Sequence, residues 1–250
     1  MKMHFRNFLV CLFAIMLAAP LARSNDSLQD VVQRMDRAAG QFQAMTAQVT
    51  YVTHTDVLNE NTTETATVVM KKVQSGEVQG RVDFTSPDVK SVTFEKRRVQ
   101  VFYPKIKTLQ IYDLDKQGEQ IDKFLMIGFG TSGTELAKDY AMKVLGTETL
   151  KGEQNVTTVH VQLIPKASEA KQYVSMLELW IPEQGDPYPV REKISQPSGD
   201  YRLVTYSDLK INPSNLKPDA LRLKLPSGVK KEYPGKSRLS NPARRAHREC

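Results

Sequence analysis

Phe124-Leu125-Met126-Ile127-Gly128-Phe129-Gly130 is the stretch on which the fold turns, because it sets an apolar cluster with helical neighbours inside a chain otherwise written in strands. About half a dozen alternating segments precede it and about as many follow, so whatever the strands enclose, this segment is placed to close it. Two readings fit. Leu125, Met126 and Phe129 are the buried face of an ordinary core helix, or the segment is a lid over a cavity with Gly128 and Gly130 as its hinges.

Working outward, the preceding half opens with Ser27 as cap of a helix from Leu28 to about Met45. Its apolar face is Leu28, Val31, Val32, Met35, Ala38, Ala39 and Phe42. Ala47 to Val57 and Thr62 to Val73 are rich in Thr, Val and Tyr, and Asn59-Glu60-Asn61 between them is turn chemistry, which predicts a hairpin. From Glu77 to Thr85, Val78, Gly80, Val82 and Phe84 alternate with Gln79, Arg81 and Asp83. Short strands are expected at 92–94, 99–103 and 108–112. So long a run of antiparallel strands must curl.

Beyond the apolar stretch, Thr131-Ser132-Gly133-Thr134-Glu135 offers a capping pattern for a short helix through Leu136 and Tyr140. Strands follow at 142–145, 156–164, 174–181, 189–196 and 201–207, with Pro197-Ser198-Gly199-Asp200 as a hairpin turn. Leu177-Glu178-Leu179-Trp180-Ile181 is apolar on nearly both faces, which suits a central strand covered by helix. Leu221 to Leu225, with Pro226-Ser227-Gly228-Val229, is the last strand expected and finishes the domain.

The charge of +7 divides unevenly along the chain. Lys2, Arg6 and Arg23 flank an apolar run, Phe8 to Ala19, that ends in Ala22-Arg23-Ser24; residues 1–24 are expected to be a cleaved secretory signal. Residues 235–250 hold Lys236, Arg238, Arg244, Arg245 and Arg248 against Glu249 and read as a basic, disordered tail. The body between carries no net charge, which gives no electrostatic footprint for nucleic acid. Once Cys11 leaves with the signal, Cys250 is the only cysteine, so the domain expected at 25–234 has no internal disulfide. His54, His160 and His247 share no metal-ligand spacing, and no nucleophile elbow, phosphate loop or dinucleotide fingerprint occurs. The residues offer no catalytic group, metal site or cofactor.

Binding is what they offer. Val78, Val82, Phe84, Val99, Val101, Tyr103, Leu177 and Leu179 can line an apolar hollow, and Leu125, Met126, Ile127 and Phe129 can cover it. Hiding a sixteen-carbon acyl chain from water is worth roughly 12 kcal/mol, which demands a preformed cavity.

Leu163-Ile164-Pro165-Lys166-Ala167-Ser168 followed by Val174 to Ile181 resembles the LolA-like periplasmic lipoprotein carrier and sorting proteins. Leu221 to Val229 is similar to that family's closing strand and Pro-x-Gly-Val turn. The helix-then-strand opening through Leu28 to Tyr51, Ser75-Gly76-Glu77-Val78 and Phe84-Thr85-Ser86-Pro87 match in order and spacing, so the resemblance spans about 28–234. It implies a mainly β (α+β) fold, an incomplete antiparallel β-barrel whose N-terminal and mid-chain helices cover the concave face. It also implies a monomeric periplasmic carrier of acylated lipoprotein or another lipid, with an inner-membrane release complex and an outer-membrane acceptor as partners. In the family an Arg directly before the Pro of the Phe-x-x-Pro turn latches the lid. This chain has Ser86 there, and Arg81 is the substitute its sequence offers. A lipid-sensing regulatory protein on the same fold is the alternative, and an exported hydrolase a more remote one.

Overall fold

The computed structural model describes residues 27–73, 78–95, 97–114, 125–152 and 155–234. The expected signal at 1–24, the basic tail at 235–250, Phe124 and Ser75-Gly76-Glu77 lie outside the described residues.

Twelve strands form one open sheet: β1 (Ala44–Thr55), β2 (Glu60–Lys72), β3 (Val78–Ser86), β4 (Lys90–Glu95), β5 (Arg98–Tyr103), β6 (Thr108–Asp113), β7 (Tyr140–Leu150), β8 (Val156–Pro165), β9 (Met176–Pro182), β10 (Arg191–Ser195), β11 (Tyr201–Ile211) and β12 (Lys230–Glu232). Their order across the sheet is β12-β6-β5-β4-β3-β2-β1-β11-β10-β9-β8-β7. All neighbours are antiparallel except β12, which lies parallel to β6 at one edge. The half-barrel expected from the sequence is therefore present as a mainly antiparallel sheet that does not close.

The order explains why the apolar stretch lies where it does. The chain finishes β6 near one edge and resumes with β7 at the other, ten strands away, or about 48 Å if the sheet were flat. The connection between them must cross a face. Its described part, residues 125–139, lies on the face that also carries α1 (Leu28–Gln41), and it ends in α2 (Gly133–Asp139). This helix-bearing side is called the inner face below. A single helical turn, α3 (Ser168–Lys171), links β8 to β9.

Leu125 is helical, and from Met126 onward the apolar stretch is a turn. The N–H groups of Phe129, Gly130 and Thr131 all converge on the carbonyl of Met126, at 3.0–3.1 Å, and Gly128 sits at φ +80°. A left-handed residue stops helix propagation, so residues 126–131 form a compact turn between Leu125, which is helical, and α2, which begins at Gly133.

Helix α1 begins as its sequence indicates, with a reciprocal capping box: the Asp30 N–H donates to Ser27 Oγ at 3.2 Å and the Ser27 N–H to Asp30 Oδ2 at 3.1 Å. It buries Val31, Met35, Ala38 and Ala39. It stops at Gln41, earlier than Met45, because Asn212 captures the chain. Asn212 Oδ1 accepts from the N–H groups of Gln43 (2.8 Å) and Ala44 (3.0 Å), and its Nδ2 donates to the Gln41 carbonyl at 2.8 Å. Met45 is thereby released into β1. Asn212→Ala strips three backbone groups of their partner and is expected to lower stability by about 1–3 kcal/mol in urea unfolding.

The strand expected at 221–225 is not formed. Leu221 and Arg222 turn and bend, and the chain then crosses the opposite, outer face without a ladder, where Leu223 and Val229 pack on Phe102, Leu109 and Ile111. The strand that closes the sheet is β12, which begins only at Lys230.

Candidate functional site

Cross-strand register decides which side chains share the inner face. Val78, Val82 and Phe84 stand opposite Lys72, Val68 and Ala66 of β2, and Val82 opposite Val92 of β4; Val92 and Phe94 face Val101 and Val99 of β5. Across the middle, Ala66 meets Val49, Val49 meets Tyr206, Tyr51 meets Val204, Val204 meets Glu192, and Glu192 meets Leu179. Strand alternation then places Val78, Val82, Phe84, Val99, Val101, Tyr103, Leu177 and Leu179 on one face. All eight expected lining residues are on the helix side.

Their environments divide into two zones. Leu177 and Leu179 are buried with Val31, Met35, Ile127, Leu136 and strand residues of β8. Val78 is buried with Ala38, Phe42, Met45, Met126 and Phe129. These three are dry core beneath α1 and the turn. Val82, Phe84, Val92, Val99, Val101 and Tyr103 belong to none of the buried clusters and are only half-buried. They form an apolar strip across β3–β5 beside the covered zone, which it joins through Val68 and Phe94. Phe94 lies across Gly80, where an added Cβ would overlap its ring, so the glycine lets the ring lie flat on the sheet. At the far end of the strip, Lys90 Nζ pairs with Glu64 Oε1 at 2.7 Å and stands 4.4 Å above the Phe84 ring, putting a charge pair at its mouth.

The expected cover is seated by aromatic contacts. Phe129, 2% exposed, lies 6.0 Å from the rings of Phe42 and Tyr188 and 5.3 Å, edge-on, from Tyr206. Tyr188 donates its hydroxyl to the Ala38 carbonyl at 3.0 Å, tying the β9–β10 loop to α1. Met126 and Ile127 are buried and Leu125 half-buried. At Gly128, whose φ is +80°, a Cβ would fall 2.5 Å from Pro189 Cγ, so glycine is needed for this close seat; at Gly130 a Cβ would displace the end of the Met126 side chain. Downstream the cover is fastened: Asp36 of α1 accepts from the Thr134 N–H at 2.8 Å and its hydroxyl at 2.6 Å, while Gly133 lies against the Val32 backbone.

Beneath Gly128 sits a residue the sequence did not single out. Glu192 Oε1 is sealed from solvent without a hydrogen-bond partner. Burial pushes its carboxyl up to about 8, against a smaller opposing effect of the Tyr206 hydroxyl. Burial, reinforced by that carboxyl, raises Tyr206 well above the usual phenol range. Glu192 is therefore a neutral acid at neutral pH, at the junction of cover and sheet.

Two expected lid residues are elsewhere. Ser86 is exposed at the end of β3, in the turn away from the cover. Arg81 stands opposite Val69 and Thr93 and so points to the outer face, where it binds Asp83 at 2.9 Å and donates to the Arg222 carbonyl at 2.7 Å. It holds the C-terminal strap and does not latch the cover. Phe129, its aromatic partners and Asp36 hold that position instead. His54 and His160 are also on the outer face, stacked on Tyr201 and Trp180. Among the described residues no three His, Cys, Asp or Glu are grouped to hold a metal ion. A cleft of about 240 Å³ between α1 and the β9–β10 loop is lined by Arg34, Arg37, Gln41 and Asp186 among others and is too polar for an acyl chain.

An open, mostly antiparallel sheet with α1, α2 and the described part of the crossing segment on one face defines the class, a half-barrel with one covered side. No family model and no curated protein matches the chain. Among solved structures it is similar to MucB, at 15% identity and TM-score 0.48 over 79% of this chain and 62% of that one. It is also similar to an uncharacterized conserved protein from Thermus thermophilus, at 14% identity and TM-score 0.49 over 82% and 98%. A LolA superfamily protein from Nitrosomonas europaea aligns at 14% identity and TM-score 0.37 over 80% and 98%. The chain spans about three fifths of the MucB structure it matches. Overlaps this loose say nothing of ligand or partner.

Proposed function

We propose that this protein is a non-catalytic, periplasmic carrier that takes the acyl chains of lipid-modified protein, or of another acyl lipid, onto the inner face and covers them with residues 125–131. The observation that carries the reading is the half-buried strip of Val82, Phe84, Val92, Val99, Val101 and Tyr103 directly beside a cover held by side chains rather than by a ladder. Apolar surface left half-wet next to a solid core is surface that a ligand can finish burying, at about 25 cal/mol per Å². Leu177, Leu179 and Val78 join the lining only when the cover lifts. Membrane complexes that load and unload the carrier are the partners this role requires. Native mass spectrometry of the protein purified after export tests the reading: added mass that fragments to fatty acyl groups is expected. Protein that is empty and also fails to take up added lipopeptide or phospholipid overturns it.

A further inference from the structure

The β1–β2, β3–β4 and β5–β6 turns lie side by side at the end of the sheet away from the α1–β1 junction, spaced two strands or about 10 Å apart. Each carries a large apolar side chain outward: Val57 (88% exposed) and Leu58 (64%) on the first, Val89 (46%) on the second and Ile106 (68%) on the third. The first and third are built alike. Asp56–Leu58 and Pro104–Ile106 are single 3-10 turns, each closed by a left-handed residue, Asn59 (φ 50°) or Lys107 (φ 46°), whose N–H returns to the first carbonyl. Leu58 and Ile106 occupy the same place in that device, directly before the left-handed residue. The turns also meet one another: Lys105 Nζ lies 3.7 Å from Asp88 Oδ1, and Thr65 and Thr85 hydroxyls pair at 3.0 Å between the first two hairpins.

We infer that these three turn tips form a bilayer-docking rim, with Leu58 and Ile106 as its principal inserting side chains. Projecting tips with strand pairing beneath suit a fluid partner that closes around each side chain rather than a protein that must offer a matching socket. The charges on the turns cancel: Asp56 and Glu60 on the first, Asp88 with Lys90 on the second, Lys105 and Lys107 on the third. The occupant is therefore the apolar and interfacial layer of a lipid membrane, zwitterionic headgroups included. Phe84, Lys90 and Tyr103 stand at the same end of the strands, so the half-buried strip opens at this rim. The inference holds whether or not that strip carries an acyl chain.

Flotation with large unilamellar vesicles of phosphatidylcholine, alone and mixed with phosphatidylglycerol, tests it on protein purified after export. Both lipid compositions should retain the wild type, and about 0.5 M salt should change this little. Leu58→Gln with Ile106→Gln should cut partitioning by about tenfold or more, with an unchanged circular dichroism spectrum because both side chains are already in solvent. Ile106→Trp should shift its emission to the blue when vesicles are added. Binding confined to anionic vesicles and abolished by salt assigns the contact to basic segments and overturns the inference. Equal partitioning of the double variant, or a wild type that ignores both vesicles, overturns it as well.

Discussion

Phe129→Asp is expected to abolish capture of an acyl probe while leaving the strand content intact. The ring of Phe129 fills the space among Phe42, Tyr188 and Tyr206, and no ladder hydrogen bond holds residues 126–131 to the sheet, since the N–H groups of Phe129, Gly130 and Thr131 return to Met126. Truncating a buried Phe costs about 3–5 kcal/mol, and a carboxylate there must be desolvated beside residues that already enclose Glu192. Lifting the turn into water is the cheaper outcome. The twelve-stranded ladder does not depend on this side chain, so far-ultraviolet dichroism should change little. A lifted cover leaves each bound methylene exposed at about 0.8 kcal/mol, which removes the affinity. Phe129→Leu, which keeps an apolar plug, should retain most of the capture. Equal capture by Phe129→Asp and the wild type would show that this turn is not the cover.

Stability is expected to fall as pH rises from about 5 to about 8, and Glu192→Gln to remove most of that slope. The folded protein holds the Glu192 proton up to about pH 8, whereas the ordinary carboxyl value is 4.5. Between those values the folded state binds more protons than the unfolded one, so the stability due to the protonated acid is full below the lower value. It declines as pH climbs through the folded-state value of about 8. The full swing is about 3–5 kcal/mol. Gln keeps an acceptor for the Tyr206 hydroxyl without titrating. Its melting temperature should match the wild type at about pH 5 and exceed it at about pH 9 by roughly 6–12 °C. Parallel curves for the two proteins would show that the carboxyl reaches water.

The strands were readable because their alternation is local. Val78, Gly80, Val82 and Phe84 face one way in the sequence and in the sheet, with Gln79, Arg81 and Asp83 opposed. That same alternation already places Arg81 on the outer face and disqualifies it as a latch. The Ser27 cap was readable too, since its partner is three residues away. What failed depended on distant groups. Phe42 and Met45 continue the helical spacing, and only Asn212, from the other end of the domain, shows why the helix stops. Leu221, Leu223 and Leu225 alternate as a strand does, yet the strap they form begins with a turn and a bend and packs Leu223 against the outer face without a ladder.

The candidate site was half readable for the same reason. Apolar lining residues announce themselves by period, but whether a given Val ends in dry core, like Val78, or in a half-wet strip, like Val82, depends on how far α1 and the crossing segment reach. Glu192 stands between Arg191 and Lys193, and nothing in its immediate sequence marks it as buried. Its burial follows from the strand's phase against Leu179 and Val204, which no local pattern reveals.

The central claim is that an acyl chain lies on the inner-face strip of β3–β5 and continues beneath the adjoining cover when it lifts. Photo-crosslinking with a fatty acid carrying a terminal diazirine, followed by peptide mapping, tests it most directly. The account predicts adducts on Val82, Val92, Val101 and their inner-face neighbours, lost in Phe129→Asp. Adducts confined to outer-face residues such as Phe102 or Trp180, or none at a saturating concentration of probe, would contradict it.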